Sequence, residues 1–282
     1  MLRRLQLTAW IVTFMASYSP ALYATETMIL GGGINVYSPP YRWFDKCDGH
    51  LTGSVAHLID KVLTQLEIDY QYTPSAPFKP EILAQFDQQM LAGNIDGRAT
   101  NDIKPIPGII YSKAPISSIK ISAFYSTQTH TISTMDELKN LKGSALSLSL
   151  KKSRFSPVQN FLQRNELPFE LISTQEEAIK AIQSGKIDYV MALRYSELLL
   201  SKKYFKRYDI EEPVQNFYFA MSTNSPFADR MEEIDREMQL ANTSGLVDFL
   251  EQRYLLQWFA ENDRDCTEST AKTTESIKLS RQ

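Results

Sequence analysis

The chain has 282 residues, 43% of them hydrophobic, and a formal net charge of −3. At ~100–200 residues per domain, that length allows one or two domains with real cores. Gly and Pro are not enriched, which excludes disorder as a description of the whole chain, and the lack of a basic excess leaves little to attract nucleic acid.

The chain opens with Arg3 and Arg4, an apolar run over Leu5–Ala16, and a segment ending in Ala-Leu-Tyr-Ala at Ala24. That order is a secretory signal peptide with cleavage expected after Ala24. The run falls short of the ~20 residues a membrane-spanning helix needs. Loss of residues 1–24, with two Arg and no acid, would take the net charge from −3 to −5. No Cys stands at the cleavage site, so no lipid anchor is expected, and in a Gram-negative source the address would be the periplasm.

Gly31-Gly32-Gly33 reads as a flexible lead-in to a strand at Ile34–Tyr37, which Ser38-Pro39-Pro40 closes. Val55, Leu58, Ile59, Val62, Leu63 and Leu66 recur at helical spacing over Ser54–Glu67, and Ile68–Tyr72 alternates like a strand. His57, off that apolar stripe, is expected to be exposed. Ile82, Leu83, Phe86, Met90 and Leu91 mark a second helix that Gly93 stops, and Ile95–Thr100 is the next strand. The series repeats with a strand at Ala145–Leu150, a helix starting at Ser156-Pro157 and a strand at Phe169–Ile172. There follow a Thr174/Glu177 capping box, a helix over Ala178–Ile182 ended by Gly185, and a strand at Ile187–Leu193. Two such βαβαβ units imply a largely parallel α/β protein with two lobes. A strand at Phe217–Ser222 leads to a helix from Ser225-Pro226 that carries Phe227, Met231 and Ile234. A last helix carries Leu246, Phe249, Leu250 and Tyr254, and 263–282 reads as a disordered tail. Cys47 and Cys266, the only cysteines, are a candidate disulfide in an oxidising compartment, worth ~4–5 kcal/mol by closing a very long loop. The alternative is two free thiols.

Several stretches, in order, resemble the bacterial solute-binding proteins of the polar-amino-acid type, family 3. They are Ile34-Asn35-Val36 with Pro39-Pro40-Tyr41, Asp48-Gly49-His50-Leu51-Thr52-Gly53, Gly93-Asn94-Ile95-Asp96, Tyr111-Ser112-Lys113-Ala114-Pro115-Ile116, Leu138-Lys139-Asn140-Leu141-Lys142-Gly143 and Gly185-Lys186-Ile187-Asp188. The resemblance covers roughly Met28 to Trp258. It implies a type II periplasmic-binding-protein fold: two α/β lobes, the second inserted in the first, two crossing strands as hinge, and closure around a ligand. The implied layout is signal peptide 1–24, lobe 1 over 25–119 and 217–262, lobe 2 over 120–216, and the tail. Where the family places an Arg for the ligand carboxylate this chain has Pro105, with Lys104 the nearest cation. Where the family places an Asp for the ligand ammonium it has Leu193.

Candidate cleft residues follow from the strand ends. Tyr41 and Trp43 could wall a ligand, or pack on the neighbouring loop. Arg98 and Thr100 share one face of their strand and Asn101 follows. Arg98 could grip a carboxylate or phosphate, or pair with an acid such as Asp102. Ser153 and Arg154, beside Lys151 and Lys152, precede a helix N-terminus suited to anions, although a charged run is commonly a solvated loop. Arg194 and Tyr195 end the Ile187–Leu193 strand. Together Arg98, Arg154 and Arg194 would make a cationic cleft for an anionic ligand. The three His, His50, His57 and His130, lack zinc-ligand spacing, no nucleophile elbow is present, and neither metal nor cofactor is expected. The reading is a monomeric binding protein for an amino-acid-like or organic acid, serving an ABC permease. A stand-alone sensing subunit is one alternative. A lyase or dehydratase using Asp96 or Asp102 as acid is another.

Overall fold

A computed structural model describes residues 26–32, 39–45, 47, 49–74, 80–101, 103, 105–126, 128, 131–146, 157–198, 205–262 and 266. The leader, the expected strand at Ile34–Tyr37, Ser153, Arg154, Asp102, Lys104, His130 and the tail apart from Cys266 lie outside them.

The first strand, β1, is Met28–Leu30, a short run whose side chains alternate between two apolar clusters. Met28 and Leu30 join a cluster with Val55, Leu58 and Val62, while Ile29 packs with Phe86 and Met90. A helix therefore covers each face, which is why the run shows no polar alternation in the sequence. Gly31 and Gly32 follow β1, and the strand they were expected to lead into lies outside the described residues. Gly31 N–H donates to the Gly97 carbonyl (2.8 Å), and a Cβ on Gly32 would lie 2.1 Å from the Thr73 carbonyl oxygen. The glycines are there because neighbouring backbones close in on the strand end.

A hairpin of β2 (Trp43–Phe44) and β3 (Leu51–Thr52) leads into α1 (Ser54–Gln65), whose apolar stripe is buried as its spacing predicts. His57 is half-buried, its Nδ1 hydrogen-bonded to the Tyr254 hydroxyl (2.8 Å), so the C-terminal helix covers a site the stripe leaves open. Then come β4 (Tyr70–Tyr72), α2 (Pro80–Leu91), β5 (Gly97–Thr100), β6 (Ile109–Tyr111) and β7 (Ser117–Ile119). Together with β13 (Gln215–Ser222) they form one sheet in the order β4-β1-β5-β13-β6, with β7 also paired to β13. β1 is parallel to β4 and β5, whereas β13 is antiparallel to β5, β6 and β7, so the sheet is mixed.

Every strand of the second sheet lies between Ile121 and Asp209. They are β8 (Ile121–Ser126), β9 (Gly143–Leu146), β10 (Phe169–Ile172), β11 (Tyr189–Leu193) and β12 (Phe205–Asp209), in the order β10-β9-β11-β8-β12. α3 (Pro157–Arg164) and α4 (Gln175–Gln183) cover its two faces. Leu162 packs in the cluster with Ala145 and Met191, and Ala178 and Ile182 pack with Leu146 and Val190. The Thr174 hydroxyl caps α4 by accepting from Glu177 N–H (3.1 Å), and the Glu177 carboxylate accepts from Ser173 N–H (3.2 Å). Gly185 follows with φ +70.

After β13 the chain forms α5 (Met231–Thr243), preceded by a 3-10 turn at Ala228–Arg230, and α6 (Leu246–Asn262). Both helices pack on α1, and Phe249 faces outward, 59% exposed. Cys47 is bonded to Cys266, a separation of 219 residues that ties the end of α6 to the β2–β3 hairpin. Gly53, with φ +117, lets the hairpin meet α1, for a Cβ there would lie 2.4 Å from the Tyr41 carbonyl oxygen.

Reduction of the disulfide is expected to lower the unfolding midpoint, by up to ~5 kcal/mol in the chain-entropy account; thermal scans with and without reductant, and of Cys266→Ser, check it. Gly53→Ala is expected to cost more than about 1 kcal/mol in a urea titration, because backbone atoms, not a flexible side chain, block the added methyl.

Candidate functional site

Both sheets carry the same reversal of strand order. From β1 the chain passes through α1 to β4 on one side, then through α2 to β5 on the other. From β9 it passes through α3 to β10, then through α4 to β11 on the opposite side. Helices diverge from such a point, leaving a crevice beyond the carboxyl ends of the two central strands. In the first sheet those ends are Gly31-Gly32 and Thr100-Asn101. In the second, Arg194-Tyr195 follows β11.

The sheets are joined by two crossings lying side by side. Lys120 alone separates β7 from β8, and β12 returns to β13 through residues 210–214. Gln215, Asn216 and Phe217 pair antiparallel with Ile119, Ser118 and Ser117. The Ser118 hydroxyl also donates to Asn216 Oδ1 (2.6 Å). Beside this ribbon, a hollow of about 340 Å³ opens between α3 and the second crossing, lined by Pro157, Asn160, Gln163, Arg164, Val214 and Gln215.

A buried polar cluster braces the hinge from α6. Glu251 is fully buried; its Oε1 accepts from the Ser117 hydroxyl, and its Oε2 has no hydrogen-bond partner. Burial pushes the Glu251 carboxyl up to about 7. One turn earlier, Asp248 accepts from Lys120 Nζ (3.0 Å) and from the Tyr195 hydroxyl (2.5 Å). Tyr195 belongs to the 3-10 turn Arg194–Leu198 that follows β11, so this contact ties the inserted unit to a helix of the other. Burial raises the Tyr195 phenol well above its ordinary value, and Asp248 adds to the shift.

The sequence candidates occupy distinct places. Tyr41 and Trp43 are in the core: Tyr41 packs on Phe217 with ring centroids 5.3 Å apart, and the Trp43 indole N–H donates to Glu261 (3.0 Å). Arg98 Nη2 is paired with Asp87 on α2 at 2.6 Å. Thr100 is buried at the end of β5, and Asn101 beyond it is exposed. Arg194 Nη2 donates to the Ile210 carbonyl (3.0 Å), and its Nε lies 3.6 Å from Asp209. Arg98, Thr100 and Asn101 stand together at one strand end, and Arg194 and Tyr195 at the hinge. Sequence reasoning passed over Glu251, Asp248 and Lys120. The signal for Glu251 was a carboxylate inside the apolar stripe of Val247, Leu250, Tyr254 and Leu255.

No family model matches the sequence, and no curated protein matches it either. Solved structures do match. The L-cystine solute receptor of Neisseria gonorrhoeae, in its unliganded open conformation, is 14% identical, covering 82% of this chain and 93% of that one, with a TM-score of 0.56. The second substrate-binding domain of a putative amino acid ABC transporter from Streptococcus pneumoniae is 15% identical over 81% of this chain and 100% of that one, with a TM-score of 0.55. An ancestral cationic amino acid solute-binding protein is 14% identical over 81% and 95%, with a TM-score of 0.53. The chain has the two-lobed, type II fold of periplasmic solute-binding proteins. Its second lobe is inserted in the first, with β7–β8 and β12–β13 as the crossings. Among the described residues no helix is long and apolar enough to cross a membrane, and no group of His, Cys, Asp and Glu could hold a metal ion.

Glu251 sets a pH dependence. Its folded-state pKa of about 7 lies above the ordinary 4.5, so the fold accommodates the protonated form. That contribution is complete below about pH 4.5 and is lost as the pH rises through about 7. Lys120, Asp248, Tyr41, Tyr195 and Arg194 face the same cluster. Glu251→Gln is expected to flatten the change of Tm between about pH 5 and 8 and to stabilise the protein by about 1–3 kcal/mol at the upper end. Calorimetric scans across that range check it, and an unchanged slope would exclude the group.

Proposed function

We propose that this protein captures a small polar solute between its lobes by hinge closure. The observation that carries the reading is the pairing of β7 with β13: two adjacent crossings join two lobes, each with a strand-order reversal that opens a crevice. Such a hinge permits rotation of one lobe against the other, and closure desolvates whatever lies between them. In this reading the chain is a divergent family 3 member that binds its ligand rather than transforming it. The lobes are 25–119 with 217–262, and 120–216. It works as a monomer, exported by its leader to the periplasm, and passes the solute to an inner-membrane ABC permease. The solved structures it is similar to carry amino acid or cystine in their names, which supports an amino-acid-like or organic-acid ligand here. A carboxylate is the anion the site would take, with Arg98, Thr100, Asn101, Arg194 and Tyr195 at the two strand ends; the expected contribution of Ser153 and Arg154 lies outside the described residues.

A thermal-shift screen of amino acids, organic acids, polyamines and phosphorylated metabolites is expected to yield at least one stabilising ligand. At 100-fold excess over Kd the gain is ~2.7 kcal/mol. X-ray scattering should then show the radius of gyration falling on addition of that ligand. An envelope that stays the same with every stabilising compound would sink the hinge reading.

A further inference from the structure

We infer that the bond from the Tyr195 hydroxyl to Asp248 is a latch that holds the two lobes apart, and that closure on a ligand has to break it. This rests on the closing-cleft reading above and deepens it by naming what regulates the movement. Asp248 Oδ1 accepts from the Tyr195 hydroxyl (2.5 Å) and from Lys120 Nζ (3.0 Å). One oxygen thus gathers a donor from the inserted lobe and a donor from the single residue between β7 and β8. Burial works against the charge on Asp248, but the Tyr195 hydroxyl and the Lys120 ammonium hold its carboxyl below the ordinary value. It is therefore an anion at neutral pH, and both bonds are charge-assisted.

Each half of the latch is fixed to its own lobe. On the inserted lobe, Arg194 N–H donates to the Lys120 carbonyl (2.9 Å) and Arg194 Nη2 to the Ile210 carbonyl (3.0 Å), which pins the turn that carries Tyr195. On the first lobe, α6 is held by Glu251 to Ser117 of β7 and by the Tyr254 hydroxyl to His57 of α1 (2.8 Å). The bond between Cys47 and Cys266 secures its far end. Neither partner can follow the other when the lobes turn. An O–H···O bond is made within about 3.0 Å, so a displacement of roughly 1 Å between α6 and the turn forfeits it. The arrangement that carries the bond has its rim in solvent. Beyond β5, Asn101 is exposed and Ile103 is 49% exposed. Enclosing a ligand brings that rim toward the second sheet, and the same rotation carries the turn across α6. Solvent reaches the latch, for the Asp248 side chain is 48% exposed and that of Lys120 30%. Its effect is therefore a several-fold bias in the open–closed ratio rather than a lock. Apparent affinity scales with the fraction of molecules able to close, so a weaker latch means tighter binding. That sign separates a latch from a ligand contact.

The test is calorimetry on the full mature protein with L-cystine, L-glutamate, L-arginine and succinate as probes, the tightest being carried forward. Tyr195→Phe keeps the ring and removes the hydroxyl, and is expected to tighten that probe by about three- to tenfold. Asp248→Asn, at a residue on the other lobe, is expected to act in the same direction by a similar factor. The double variant should bind no more tightly than the tighter single one, because both substitutions remove one bond. Tyr208→Phe, which removes a hydroxyl from β12 within the inserted lobe, should bind as the parent does. Without ligand, Tyr195→Phe should melt no higher than the parent, so a firmer fold does not account for the gain in affinity. Binding by Tyr195→Phe that is unchanged or weaker would overturn the latch while closure of the parent by scattering still stood; weaker binding would mark the hydroxyl as a ligand contact. Gains that multiply in the double variant would overturn it as well. If no probe binds or closes the parent, the latch and the hinge reading fall together.

Discussion

Three residue pairs, Gln215 with Ile119, Asn216 with Ser118 and Phe217 with Ser117, hold the two halves of this molecule in register. They convert two independent linkers into one hydrogen-bonded ribbon, and a ribbon bends more readily than it shears. The apolar cluster runs through the same place, from Ile119 and Phe217 of one lobe to Ile121 and Ile210 at the edge of the other. The two lobes therefore share one core at the crossings. The crevice on either side inherits its position from that geometry.

Polar groups at the ribbon are arranged to hold it. Glu251 reaches it through Ser117, and Asp248 gathers Lys120 from the crossing and Tyr195 from the inserted lobe. A carboxyl as deeply buried as Glu251 would ordinarily need a cation in direct contact. Here a serine hydroxyl meets one oxygen, and burial moves the titration toward neutrality. The contact from Tyr195 to Asp248 joins the lobes outside the backbone crossings, so any change of lobe angle must either preserve or break it.

The arginines show why a count of charges misleads. Arg98 and Arg194 are conspicuous at strand ends, yet each is held by its own lobe through Asp87 or through Ile210 and Asp209. Arg42 is inconspicuous between two aromatics, and among the described residues its hydrogen bond goes to a backbone carbonyl, that of Ala99. A guanidinium acts on a ligand only to the extent that the fold has left it unanswered, and that depends on neighbours far away in sequence: Ala99 is 57 residues from Arg42.

Periodicity alone disclosed the α/β class and the two similar units, because a helix with one buried face and a strand with two must repeat apolar residues at fixed spacing. The stripe from Val55 to Leu63, the strand Phe169–Ile172 and the cap at Thr174 are local properties of the chain, and all were legible there. The cysteine pair could be named as a candidate but not joined. The edges were less legible. β1 was hidden because a three-residue strand covered on both faces has no alternation, and glycines that serve close backbone approach look the same as glycines that serve flexibility. Only the tertiary structure decided which side chains are spent. Burial of Tyr41 and Trp43, capture of Arg98 by Asp87 and the unpaired oxygen of Glu251 all depend on contacts between distant segments. Spacing along a chain fixes the face a residue takes on its own element; the partner awaiting it there is set by how the elements pack.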